Sequence, residues 1–185
     1  MNARRENEAT PMKNRTTVER KSEREIVVTR TFNAPARIVF EAWTKPELFK
    51  RWWVPKSCGM SLLSCEKDVR IGGTYRLVFS HPAFPEPMAF FGRYNEVIPH
   101  SRLVWTNDEG GEDGSVTTVT FEERGGETLV VFLDLYPSKE ALDAAIASGS
   151  TSTGGFTETF EQLDEFLAGV TNDTAARLDG VGLKR

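Results

Sequence analysis

The sequence predicts an α+β fold in which a curved antiparallel β-sheet wraps around one long C-terminal helix, with two short helices between the first and second strands. Three observations lead to this prediction. One β-rich segment precedes two short helical segments, residues 59–136 alternate strand-like runs with turn residues, and an apolar stripe recurs at helical spacing near the C-terminus. Because an antiparallel meander hides only one face by itself, the last helix is expected to cover the sheet.

The length of 185 residues suits one domain with a substantial core. Residues 1–24 are polar and lack apolar periodicity, so they are predicted to form a disordered tail. The domain is predicted to span residues 25–170. Residues 171–185 contain two glycines without periodicity and are predicted to form a frayed C-terminal tail.

The first strand and the two short helices are predicted from local chemistry. Glu25–Phe32 is rich in β-branched residues and predicts a strand. A helix follows over Pro35–Trp43, because proline costs no hydrogen bond in the first turn. Thr44 and Glu47 have the spacing of a capping box, which predicts a second helix over Lys45–Trp52.

Six further strands are predicted from β-rich runs between glycine and proline turn residues. These runs are Met60–Val69, Thr74–Ser80, Ala89–Ile98, Leu103–Thr106, Ser115–Glu123 and Thr128–Tyr136. The pair Gly125-Gly126 is the clearest hairpin signal among them.

Two helical segments end the predicted domain. One begins at Pro137-Ser138, and a Ser/Gly/Thr-rich break follows at Ser148–Gly155. The second carries one apolar stripe at positions i, i+4, i+7 and i+11. The stripe consists of Phe156, Phe160, Leu163 and Leu167. Because a sheet of this length curls, a cavity is expected between its concave face and this helix.

Composition argues against several classes of protein. A net charge of −4 offers no electrostatic attraction for nucleic acid or an anionic membrane. No apolar run approaches the roughly 20 residues of a membrane helix, and the charged N-terminus does not resemble a secretory signal. The cytoplasm is therefore the predicted location, and a monomer or a homodimer is the expected state.

Motif chemistry predicts no catalytic residue, no cofactor and no metal site. Nucleophile-elbow, phosphate-loop and dinucleotide signatures are absent from the sequence. Cys58 and Cys65 are seven residues apart, on opposite faces of a regular strand, which disfavours a shared metal. His81, Glu41 and Arg93 are the open candidates for a chemical role, although solvated or paired side chains are the more ordinary interpretation.

Four segments, taken in order, carry a family resemblance. They are Phe32–Pro35, Glu41–Glu47 with Arg51–Trp53, Asp68–Arg76, and Arg102–Thr106 before Val119–Phe121. The chain resembles the START-like superfamily, also called SRPBCC or birch-pollen-allergen-like. Within it, the chain looks like the branch related to the C-terminal domain of the activator of heat shock protein 90 ATPase. The resemblance covers residues 24–170.

The resemblance implies a helix-grip fold with a cavity. Members of the superfamily include carriers of hydrophobic molecules, polyketide aromatases and cyclases, and chaperone co-factors. One departure concerns Gly155-Phe156, which stands where the branch often has a Gly-Trp pair. Since Phe lacks the indole N–H, it has no side-chain donor for a polar contact at that position.

Strand alternation predicts the side chains that line such a cavity. The predicted ligand-binding residues are Trp53, Tyr75, Leu77, Phe79, Phe91, Trp105, Phe121, Phe156 and Phe160. The same pattern fits a filled core without room for a ligand, so this alternative stays open.

Three functions are compatible with the sequence. The favoured hypothesis is non-catalytic binding of a small hydrophobic or aromatic molecule between sheet and helix. The second is a chaperone co-factor that binds a protein partner, which rests on the resemblance alone. The third is a cyclase, aromatase or hydrolase that uses a titratable group facing the cavity.

Overall fold

A computed structural model of the protein describes residues 15–151 and 153–181. The strands are β1 Thr17–Arg20, β2 Glu25–Phe32, β3 Ser61–Lys67, β4 Thr74–Ser80, β5 Met88–Ile98, β6 Arg102–Thr106, β7 Val116–Arg124 and β8 Glu127–Leu135. The helices are α1 Ala36–Thr44, α2 Pro46–Phe49, α3 Lys139–Ala147 and α4 Thr153–Val181. In the part of the chain that the structure describes, none of the helices is long and apolar enough to cross a membrane.

The strands form one antiparallel sheet in the order β1-β2-β8-β7-β6-β5-β4-β3. The last six strands pair with their neighbours in sequence, as the short connections between them dictate. β8 then pairs with β2, which brings the start and the end of the domain together. The predicted α+β helix-grip architecture is confirmed.

The concave face of the sheet presents rows of side chains that run across the strands. In one row, Phe132 of β8 lies opposite Val28 of β2 and Val119 of β7. In the next row, Asp134 lies opposite Thr117, and Thr117 lies opposite Trp105. The apolar rows form the core, whereas the second row introduces polar groups on the same face.

Helix α4 covers the concave face through the apolar stripe that the sequence predicts. Phe160, Leu163 and Leu167 are at most 2% exposed. The Phe160 ring lies 5.8 Å from the Phe32 ring and 6.2 Å from the Trp43 ring. This contact joins the long helix to β2 and to α1.

Trp43 is the centre of the aromatic core. Its side chain is 1% exposed, and its ring lies within 6.3 Å of six other aromatic rings. These rings belong to Trp52, Trp53, Trp105, Phe121, Phe132 and Phe160. The cluster therefore spans α1, the segment after α2, three strands and α4.

The structure corrects both predicted tails. Thr17–Arg20 is strand β1, which pairs with β2, and residues 171–181 continue α4. β1 is an exposed edge strand and the end of α4 is polar, so neither carries the apolar periodicity by which buried elements are predicted. The remaining tail residues, 1–14 and 182–185, lie outside the described residues.

The predicted capping box is also wrong. The Thr44 hydroxyl donates to the Phe40 carbonyl in the last turn of α1, at 2.9 Å, and Lys45 is the N-cap residue of α2. Because a residue before proline avoids the helical region, Lys45 is extended and Pro46 separates the two helices. α2 is accordingly only one turn long.

We predict that Trp43→Ala lowers the free energy of unfolding by roughly 3–5 kcal/mol, because a large buried ring is replaced by a cavity. Chemical denaturation measures this change. The control is Phe84→Ala, since Phe84 is 56% exposed and its truncation is expected to cost less than about 0.5 kcal/mol. Similar small losses in both variants would contradict the central position of Trp43.

Candidate ligand-binding site

A cavity of about 370 Å³ lies between the concave sheet, the segment after α2 and the start of α4. Its apolar lining consists of Phe49, Trp53, Val54, Pro55, Met60, Leu77, Phe79, Phe90, Trp105, Phe132 and Phe156. The remaining lining is Lys67, Tyr75, Tyr94, Asn107, Glu109, Ser115, Thr117, Asp134, Tyr136 and Ser150. The interior is thus a largely aromatic chamber with one polar region.

Six of the nine predicted ligand-binding residues line this cavity. They are Trp53, Tyr75, Leu77, Phe79, Trp105 and Phe156. Phe121 and Phe160 are 4% and 0% exposed and pack around Trp43 in the core, away from the cavity lining. Contact of any of these residues with a ligand stays a prediction.

Phe91 requires a correction, because it does not line the cavity and lies on the face of β5 opposite the buried Gly92 and Tyr94. Its neighbour Phe90 lines the cavity instead. Gly92 and Tyr94 are buried on the same face as Phe90, which follows from the two-residue period of a strand. The adjacent phenylalanines fit either face by hydrophobicity, so the sequence alone did not reveal which one turns inward.

Gln162 of α4 holds the wall of the cavity that contains Trp53. Its Nε2 donates to the carbonyl oxygens of Trp52 and Val54, both at 2.8 Å, and its Oε1 accepts from the Lys56 amide at 2.9 Å. The side chain is 8% exposed, so these bonds are shielded from water. One glutamine therefore fixes a loop that lacks regular backbone pairing.

A chain of hydrogen bonds crosses the polar region of the cavity. The Tyr75 hydroxyl donates to Asn107 Oδ1 at 2.7 Å, and Asn107 Nδ2 donates to Thr117 Oγ1 at 2.9 Å. Thr117 Oγ1 in turn donates to Asp134 Oδ1 at 2.5 Å. Burial raises the pKa of Tyr75, which keeps its hydroxyl protonated and able to donate.

Asp134 is the buried acid at the end of this chain. Burial raises the pKa of its carboxyl to about 6, and the hydrogen bond from Thr117 partly opposes this shift. Within residues 15–151 and 153–181, no Lys or Arg side chain forms an ion pair with it. A carboxylate in this position is costly and is ionised over most of the neutral range.

Lys67 is the cation that lines the cavity. Its Nζ donates to the Trp43 carbonyl oxygen at 3.1 Å and lies 3.3 Å from the centre of the Phe49 ring. Burial lowers the pKa of Lys67 to about 7. These contacts place the ammonium at the C-terminal end of α1, where the helix dipole favours positive charge.

Sequence reasoning missed Lys67, Asn107 and Asp134 as cavity residues. A signal existed for Asp134, because it follows Thr128, Val130 and Phe132 at the two-residue spacing of the inward face of β8. An acid on an otherwise apolar face is unusual. Asn107 lies just beyond β6 and carried no comparable signal.

His81, Glu41 and Arg93, the candidates for a chemical role in the sequence analysis, do not line the cavity. Glu41 pairs with Arg37 and Lys45 on the surface of α1, and Arg93 is 67% exposed on the outer face of β5. His81 accepts from the Ala83 amide through Nδ1, at 3.0 Å, so Nε2 donates to the Cys58 carbonyl oxygen. Each of these side chains has a structural partner outside the cavity.

Neither cysteine is paired, and the described part of the chain contains no cluster of three His, Cys, Asp or Glu side chains suited to a metal ion.

Residues 33–168 match the family described as "Activator of Hsp90 ATPase homolog 1-like protein". Solved structures similar to this chain include a protein from Nitrosomonas europaea, with 23% identity, coverage of 82% of this chain and 98% of that chain, and a TM-score of 0.72. A protein from Rhodobacter sphaeroides has 23% identity, 83% and 98% coverage, and a TM-score of 0.73.

A third similar structure comes from Staphylococcus epidermidis, with 28% identity, 82% and 93% coverage, and a TM-score of 0.67. No curated protein matches the chain. The similar structures support the fold, while the family match covers most of the domain.

We predict that Gln162→Ala lowers the free energy of unfolding by roughly 2–4 kcal/mol, because it leaves buried backbone groups of the loop at Trp52–Lys56 without partners. Thermal or chemical denaturation measures the loss. Glu161→Ala is the matched control, since Glu161 is the exposed neighbour on α4 and its change is expected to be within about 0.5 kcal/mol. Equal losses of stability in the two variants would contradict the proposed stabilisation of the loop by the Gln162 hydrogen bonds.

We predict that Asp134→Asn stabilises the protein at neutral pH by on the order of 2–3 kcal/mol, because about two pK units separate the folded and unfolded carboxyl. The raised folded pKa means that protonation stabilises the fold at low pH. This stabilisation is lost as pH rises from about 4 through about 6, the folded pKa.

The difference between variant and wild type should therefore be small near pH 4, grow up to about pH 6 and remain constant above it. Chemical denaturation at several pH values measures this profile. A difference that does not depend on pH would contradict the buried ionised state.

Proposed function

The chain belongs to the Activator of Hsp90 ATPase homolog 1-like family, and from this premise we propose that it binds a small hydrophobic or aromatic molecule in the cavity between the sheet and α4. The binding is non-covalent and the protein catalyses no reaction on the ligand. Apolar burial supplies the affinity, and the polar chain from Tyr75 to Asp134 sets the orientation.

The observation that carries this proposal is the cavity itself. Its volume of about 370 Å³ is within the range of roughly 300–1,000 Å³ that is usual for small-molecule sites. Aromatic rings from β4, β6, β8 and α4 line it, together with polar groups that include the hydrogen-bonded chain from Tyr75 to Asp134. A filled core, the alternative that the sequence left open, does not account for this space.

The six predicted residues that line the cavity are proposed ligand contacts, and Phe90 and Phe132 join them. Trp53 follows α2 and Phe156 lies near the start of α4. Both are half-buried in the absence of a ligand, so their rings have apolar surface left to bury.

The apolar area that a ligand buries gives an estimate of the binding free energy in the absence of polar contacts. A ligand that buries about 200 Å² of apolar surface gains on the order of 5 kcal/mol, before the entropic cost of association. This corresponds to a dissociation constant no tighter than the sub-millimolar range. Tighter binding therefore requires a polar anchor in addition to the aromatic walls.

A chaperone partner is the second candidate, because the family description names an activator of the Hsp90 ATPase. An assay of Hsp90 ATPase activity with and without the purified chain tests it. Stimulation that rises with the concentration of the chain is the expected result of this alternative, and an unchanged rate counts against it.

Native mass spectrometry of freshly purified protein, followed by denaturation, tests the binding proposal directly. A reproducible small molecule that is released on denaturation is the expected result, and its mass identifies its chemical class. An apo mass that stays unchanged after exposure to a panel of lipids and aromatic metabolites would overturn the proposal.

We predict that Phe156→Trp weakens the binding of 1-naphthylmethanol, a neutral aromatic probe, by fivefold or more, because the larger ring fills part of the cavity. Isothermal titration calorimetry measures the dissociation constant. Phe91→Trp is the matched control, since it makes the same change on the outer face and is expected to leave binding within twofold. Unchanged binding in Phe156→Trp would exclude Phe156 from the site.

A further inference from the structure

We infer that the ligand of this cavity carries a protonated amine, which pairs with the carboxylate of Asp134. This inference rests on the proposed function and specifies its chemical class: an aromatic or apolar organic cation. It follows from three features of the site, namely the position of Asp134, the direction of the hydrogen bonds around it and the nature of the surrounding walls.

Asp134 lines the cavity, and its carboxylate has a free acceptor oxygen among the described residues. It lines the cavity while only 8% of its surface is exposed. Thr117 bonds to Oδ1, and Oδ2 accepts no hydrogen bond from any residue that the structure describes. Because a buried carboxylate needs hydrogen bonds or an opposite charge, a ligand group that donates to Oδ2 fits this position.

The hydrogen bonds around Asp134 favour its ionised form. Asn107 donates to Thr117, and Thr117 donates to the carboxylate, so both neighbours direct protons toward the acid. A carboxylate that already receives one donor accepts further donors and repels anions. A ligand with a carboxylate of its own is therefore disfavoured at this end of the cavity.

The walls near Asp134 suit a cation as well. The Phe132 ring lies 5.5 Å from the Phe156 ring and 6.4 Å from the Trp105 ring, and all three rings line the cavity. Aromatic faces attract organic ammonium groups, and this attraction strengthens when water is excluded. A carboxylate beside aromatic rings is a combination that binds an amine better than an alcohol of the same shape.

The other charged groups that line the cavity do not replace this ligand. The Lys67 ammonium is held by the Trp43 carbonyl oxygen and the Phe49 ring. Glu109 is exposed, and its Oε1 accepts from the Phe91 amide at 2.8 Å. Glu109 adds negative charge near the site, which also favours the approach of a cation.

Three probes with one aromatic core test the inference on the wild-type chain. They are 1-naphthylmethylamine, which is a cation at pH 7.5, 1-naphthylmethanol, which is neutral, and 1-naphthoate, which is an anion. Calorimetric titration is expected to show that the amine binds at least tenfold more tightly than the alcohol, and that the anion binds most weakly.

The probes separate failure of this inference from failure of the proposed function. Equal affinities for the amine and the alcohol overturn the amine preference, while binding of the alcohol still supports the hydrophobic cavity. Absence of binding by all three probes at millimolar concentration overturns both.

Two variants then assign the preference to a residue. Asp134→Asn is expected to bring the affinity for the amine within twofold of that for the alcohol, with both probes measured on the same variant. Glu109→Gln, the control at the second acid, is expected to keep the preference. A preference that survives in Asp134→Asn, or disappears in Glu109→Gln alone, overturns the assignment to Asp134.

Discussion

The packing around Trp43 is the constraint on which the rest of the structure depends. A single indole at the end of α1 contacts rings from the segment after α2, from β6, β7 and β8, and from α4. The surrounding rings come from five separate segments, and each of them packs against Trp43. Since close-packed interiors tolerate little change of volume, this ring fixes the distance between the sheet and its helical cover.

The cavity exists because the aromatic cluster fills only one part of the space under the sheet. Phe121 and Phe160 complete the core on one side of Trp43, while Trp53, Trp105 and Phe132 have a second surface that faces the cavity. Gln162 holds the loop that contains Trp53, so this wall is tied to α4. One face of these rings therefore packs in the core and stabilises the fold, and the other face lines the cavity.

The polar lining is an electrostatic cost that the aromatic core offsets. Burial raises the pKa of Asp134 to about 6 and lowers the pKa of Lys67 to about 7, so each charge is disfavoured by its surroundings. The hydrogen bond to the Trp43 carbonyl oxygen and the contact with the Phe49 ring offset part of the desolvation cost of the Lys67 ammonium. Among the described residues, Asp134 receives only the hydrogen bond from Thr117. A buried charge with so little compensation is typical of functional sites.

The sequence by itself determined the order of the elements, the antiparallel meander and the apolar stripe of α4, because each depends on a periodicity within one segment. Strand alternation also indicated part of the cavity lining, namely Tyr75, Leu77, Phe79 and Trp105. Only the tertiary structure decided between Phe90 and Phe91, since local hydrophobicity is equal there and the pairing of β5 sets the face. Asn107 and Asp134 are connected through Thr117, by the loop after β6 and the pairing of β7 with β8, and β1 pairs along the edge of β2. Contacts between distant segments leave no period in the sequence, so tertiary packing decides which polar groups meet in the site.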